Sequence, residues 1–105
     1  VLIDNYIDES TIVHLSKRRE GVRVILFTKT VSTQLQLDVQ KANAQYGNFQ
    51  AANFAHSHDR FLIIDGNVVY HLGASLKDLG KKWFAFSKME ADSVDGILRE
   101  INKLI

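Results

Sequence analysis

Between His56 and Lys82 the chain gathers the side chains best able to act on a ligand: three histidines, an arginine, two serines and three lysines. Read as a strand, the segment from His58 to Ile64 puts His58 and Arg60 on one face two residues apart. That pairs a titratable nucleophile or base with a permanent cation, which suits a phosphate. Gly73-Ala74-Ser75 follows the next strand and can bring backbone N–H groups and a hydroxyl beside the pair, while Lys77 adds another positive donor. An anion cradle is the chemistry these types and spacings point to.

Other uses of the same residues stay open. His56-Ser57-His58 can be read as a pair of metal ligands, with His71 or Asp65 completing a site. Arg60 can equally serve a surface salt bridge, and Asp65-Gly66-Asn67 is strong hairpin chemistry in its own right. From Lys77 to Lys88 four lysines stand against one aspartate, with Trp83, Phe84 and Phe86 interleaved. This stretch is either a solvated loop over core aromatics or a phosphate-tracking edge on which Lys77, Lys81 and Lys82 meet the backbone and Trp83 stacks on a base. Lys17-Arg18-Arg19 reads as a charge cluster at a helix C-terminus.

These residues must be held by elements that the apolar pattern locates. Val1 to Ile7 predicts a short strand, and Asp8-Glu9-Ser10-Thr11 starts a helix that ends in Lys17-Arg18-Arg19 before Gly21. Val22 to Phe27 is β-branched and nearly all apolar, as in a strand covered on both faces of a partly parallel sheet. A second helix is predicted from Ser32 or Thr33 to about Tyr46, then a weak strand over Asn48 to Ala55. His58 to Ile64 and Val68 to Leu72 form a hairpin about Asp65-Gly66-Asn67. Residues 73 to 82 predict a loop or short helix, and Trp83 to Phe86 another strand. Val94, Ile97, Leu98, Ile101, Leu104 and Ile105 repeat at helical spacing behind an Asp92 or Ser93 cap, as core or as a dimer surface. The whole is an α/β domain, a mixed sheet flanked by helices with a C-terminal helix.

Composition narrows the function classes. The chain has 105 residues, 46% of them hydrophobic, and carries 13 basic against 12 acidic side chains, so gross charge selects no polyanion partner. With no cysteine, disulfides, thiolate metal sites and cysteine nucleophiles are excluded. No apolar run approaches the roughly 20 residues that span a bilayer, and no basic-then-apolar leader opens the chain. A cytoplasmic setting without membrane contact is the expectation. The opening Val1-Leu2-Ile3, already strand-like and without Met, reads as part of a longer protein.

His58-Asp59-Arg60-Phe61-Leu62-Ile63-Ile64-Asp65 resembles the His-x-Lys-x4-Asp motif of the phospholipase D superfamily, and Gly73-Ala74-Ser75-Leu76-Lys77 stands where the family's Gly-Ser-x-Asn element follows. Ile3-Asp4-Asn5-Tyr6-Ile7, a helix and Gly21-Val22-Arg23-Val24 resemble the opening of such a domain, so that the likeness covers roughly residues 1 to 90. It implies one phospholipase D-like domain over 1–105 that cleaves phosphodiesters through a phosphohistidine, with no metal or other cofactor. By the same resemblance His58 would be nucleophile or acid, Arg60 a phosphate clamp in place of Lys, Ser75 an oxygen donor and Asp65 a supporting residue. Only one motif copy is present, so activity implies a homodimer that joins two His58 side chains, or a second copy elsewhere. The substrate expected is nucleic acid, DNA before RNA. The alternative is a catalytically silent nucleic-acid-binding or dimerisation module attached to an upstream DNA-binding domain.

Overall fold

A computed structural model describes residues 1–81 and 83–105, and it is an α/β structure built on one mixed six-stranded sheet. In chain order the elements are β1 (Leu2–Ile3), α1 (Glu9–Ser16), β2 (Val24–Thr28), α2 (Thr33–Gln45), β3 (Phe49–Asn53), β4 (Arg60–Ile64), β5 (Val68–Leu72), a 3₁₀ turn (Leu76–Asp78), β6 (Phe86–Lys88) and α3 (Ala91–Leu104). The strand order is β3-β2-β1-β4-β5-β6. β1, β2 and β3 run parallel, and β4, β5 and β6 continue the sheet antiparallel from the other side of β1.

Strand alternation divides the core between the two faces. Leu2, Leu26, Phe49 and Leu72 point to one side and pack with Ile12 of α1 and with Leu35 and Ala42 of α2. Ile3, Ile25, Phe27, Ile63 and Val69 point to the other and pack with Val94 and Ile101 of α3. Every residue of β2 is buried, in keeping with the near-continuous apolar run there. Among the described residues no helix is long and apolar enough to cross a membrane.

α1 and α2 start on side-chain caps. Asp8 accepts from the Thr11 N–H at 3.2 Å while the Asp8 N–H donates to Thr11 Oγ1 at 3.3 Å, so each satisfies a backbone or side-chain group of the other. Burial of the Asp8 carboxyl works against its ionisation. Hydrogen bonds from Ser10 and Thr11 and the charge of Lys77 outweigh that and hold it below the usual carboxylate range. Ser32 Oγ accepts from the Leu35 N–H at 3.0 Å at the head of α2. In the β4–β5 hairpin the Asn67 N–H donates to the Ile64 carbonyl, closing a turn whose central Asp65 and Gly66 both have positive φ, 55° and 72°.

Several boundaries differ from the sequence expectation: β2 begins at Val24, β3 spans Phe49–Asn53 and β4 begins at Arg60, and four further ends have a visible cause. β1 stops at Ile3 rather than running to Ile7, because the Asp4 side chain takes up the Tyr6 N–H two residues on and the Asn5 side chain the Lys29 N–H after β2, which turns the chain away. α1 ends at Ser16, and Arg18 leaves the helix to donate to the carbonyls of Val22 and Gly47 at 2.9 and 2.7 Å, with its guanidinium 4.8 Å from the Phe49 ring centre. The last strand is Phe86–Lys88 rather than Trp83 to Phe86, since pairing begins where the Gly73 N–H meets the Ala85 carbonyl at 2.8 Å. Finally, α3 is headed by Glu90 and not by Asp92 or Ser93, and Glu90 makes no side-chain cap. Of the α3 stripe, Val94 and Ile101 are buried, whereas Leu104 and Ile105 are left about half exposed.

Candidate functional site

In open sheets that mix parallel and antiparallel neighbours, the crevice outside the carboxyl ends of the parallel strands is where loops diverge and ligands are held. Here β1 is that point, paired in parallel to β2 and antiparallel to β4. At this end of the sheet stand Asp4, Asn5 and Tyr6 after β1, Lys29 after β2, His58 and Arg60 at the head of β4, and Gly73 to Lys77 after β5. Charged and polar residues collect here because the strands end and the backbone needs partners.

Asp4 organises this end. It is fully buried, and its carboxylate accepts from Ser75 Oγ at 2.8 Å, the Leu76 N–H at 3.0 Å and the Tyr6 N–H at 3.0 Å. Three donors compensate the cost of placing a carboxylate in the interior. The bonds tie the loop after β5 to the end of β1. Asn5 adds a second tie, its Oδ1 accepting from the Lys29 N–H at 2.9 Å, and Asn53 Oδ1 accepts from the Val31 N–H at 2.8 Å. None of Asp4, Asn5 or Tyr6 was singled out from sequence as a site residue. The available signal was a pair of polar residues directly after an apolar strand.

Of the residues expected to form an anion cradle, Arg60, Gly73, Ser75 and Lys77 stand at the same end of the sheet. Arg60 Nη2 donates to the Gly73 carbonyl at 3.3 Å, and its buried Nε has no hydrogen-bond partner among the described residues. Lys77 is half-buried, with Nζ 6.0 Å from the centre of the Tyr6 ring. The donors of the loop are used differently from the expectation. The Ser75 hydroxyl is buried and given to Asp4, the Leu76 N–H goes to Asp4, and the Gly73 N–H goes to Ala85. With these three donors engaged, the side-chain charges of Arg60 and Lys77 are the groups here that best suit an anion.

His58 and Arg60 do not share a strand face. The strand begins only at Arg60, and Ser57 Oγ donates to the Asp59 carbonyl at 2.8 Å across a bend, so alternation does not extend back to His58. His58 is exposed and lines a cleft of about 230 Å³ on the α3 face, with His56, Asp59, Phe61 and Glu100. Around that cleft His56 Nδ1 lies 3.8 Å from Glu100, and His71 Nε2 lies 3.6 Å from Asp59. The grouping of His56 and His58 with His71 or Asp65 is not assembled as a metal site: among the described residues no three such groups converge.

Asp65 stands at the opposite end of the sheet. It follows Ile64 in the hairpin turn, the whole length of β4 away from Arg60. Lys81 and Trp83 flank the crevice end of the sheet, both exposed, and Trp83 is wholly so at 104% of its reference area. Lys82 lies outside the described residues. No family model matches the chain, and comparison with curated proteins and with solved structures likewise finds no match.

Proposed function

We propose that the domain binds the phosphodiester backbone of nucleic acid at the crevice end of its sheet, with Arg60, Lys77 and Lys81 as the cations that meet phosphate oxygens. The observation that carries the reading is that the loop after β5 is locked by Asp4, while Arg60 donates to the Gly73 carbonyl at its start and Lys77 lies farther along it. Cations gathered at one strand-end crevice suit an anion whose charges repeat along a chain. The resemblance of residues 58 to 77 to the phospholipase D motif points to the same ligand class. DNA is the first ligand to test.

Anisotropy of a labelled DNA oligonucleotide tests this. The wild-type chain is expected to bind with an affinity that falls as salt rises, and Lys77→Ala and Lys81→Ala each to weaken it. Affinity that is absent, or untouched by both substitutions, contradicts the proposal.

One observation favours a second reading, a metal-independent phosphodiesterase. His58 is exposed on a bend at the crevice end and makes no hydrogen bond or ion pair among the described residues, so a second copy of the chain has access to it. In that reading two His58 side chains meet across a two-fold axis, one attacking phosphorus and the other protonating the leaving oxygen. DNA hydrolysis that persists in chelator and disappears in His58→Ala supports it. Binding that is kept in His58→Ala without any hydrolysis by the wild type leaves the binding module.

A further inference from the structure

We infer that the ligand of this edge is single-stranded nucleic acid, and that Tyr6 and Trp83 are the platforms on which its bases stack; this rests on the nucleic-acid reading above. Among the described residues Trp83 is the most exposed large apolar side chain, and Tyr6 is 63% exposed. Both belong to the crevice end. Tyr6 follows the carboxyl end of β1, and Trp83 lies two residues before Ala85, which is bonded to Gly73.

Tyr6 is held in a way that suits a platform. Its N–H donates to the buried Asp4 carboxylate at 3.0 Å, so its backbone is fixed to the rigid end of β1 while the ring stands in solvent. The Lys77 ammonium lies over the ring, 6.0 Å from its centre. The ammonium stands over one face of the ring, so the ring and a cation for the backbone adjoin while most of the ring is open to solvent. Phe86, also exposed, differs because its ring is already engaged edge-on with Tyr70 at 5.9 Å.

The physical distinction between strand forms follows from the bases. In a duplex their faces are covered by neighbouring pairs, and an aromatic ring on the protein reaches only backbone and groove edges. In a single strand the faces are open, and stacking on protein aromatics adds to the phosphate contacts in a sequence-tolerant way. Two exposed rings among lysines are therefore used fully only by a single strand.

Trp83 is the sole tryptophan of the chain, which makes its fluorescence a direct reporter. The experiment titrates the wild-type chain with a single-stranded oligonucleotide and with its duplex, and repeats both with Tyr6→Ala and Tyr6→Phe. The inference predicts quenching by the single strand, tighter binding of it than of the duplex, and a loss of about five- to a hundredfold in single-strand affinity for Tyr6→Ala. Tyr6→Phe retains that affinity, and duplex binding stays unchanged in both variants. Equal affinity for the two forms with no quenching overturns the inference and leaves the backbone-binding proposal standing. Absence of binding to either form, in a chain whose circular dichroism shows it folded, overturns both.

Discussion

The Ser75 hydroxyl donates to the Asp4 carboxylate at 2.8 Å, joining two buried residues 71 positions apart. This bond gives Ser75 an internal partner where sequence reading expected it to face a phosphate. Ser75→Ala should therefore act on stability: leaving a buried carboxylate one donor short costs about 1–3 kcal/mol. Urea unfolding of the two proteins measures this, and DNA affinity at a temperature where both are folded should change little. A large loss of affinity with unchanged stability would return Ser75 to the phosphate site.

Gly73 is required by close approach. A Cβ at this position would stand 2.7 Å from the Ala85 carbonyl oxygen, a backbone atom that moves only with β6. Overpacking of this kind costs about 1–3 kcal/mol. Gly73→Ala is expected to lower the thermal midpoint, while Gly96→Ala, where a Cβ meets nothing within 4 Å, leaves it unchanged or raises it.

Asp65 separates turn from site. It occupies the hairpin at positive φ, and an alanine there meets the left-handed conformation without the local polar compensation that Asp provides. Asp65→Ala should destabilise by about 1 kcal/mol and Asp65→Gly should not. Neither should alter DNA affinity, because the residue is at the far end of the sheet. An affinity loss in Asp65→Gly would assign it a part in binding.

The lowered pKa of Asp8 links stability to pH. A carboxyl whose folded pKa lies below its unfolded value contributes stability that is present above the unfolded pKa of 3.8 and is lost as pH falls through the folded pKa. Asp8→Asn keeps a capping side chain and removes the charge. It should be less stable than the wild type at pH 7, with the difference closing on acidification below pH 3.8, as read from denaturation midpoints across that range.

Most of the fold was legible because its signals are local. The Ser32 cap and Gly47 bound α2, the all-apolar run gave β2, and Asp65-Gly66 gave the hairpin. The boundaries that moved were set by contacts from afar: Arg18 left its helix for carbonyls on two other segments, and β6 began where Gly73 could approach Ala85. The site was legible in residue type and less so in orientation. Arg60, Ser75 and Lys77 stand at one end of the sheet, but the partner that occupies Ser75 is Asp4, and no local pattern shows that a residue of β1's end lies beneath the loop after β5. Likewise the alternation assumed for His58 required a strand that begins two residues later.

The central claim is that side-chain cations at the crevice end bind nucleic-acid phosphates, and the most direct measurement is the salt dependence of oligonucleotide affinity in the wild type and in Lys77→Gln. The account predicts a linear fall of log affinity with log salt, and a slope smaller by about one in the variant, the signature of one lost phosphate contact. An identical slope in the two proteins, or affinity indifferent to salt, would contradict it.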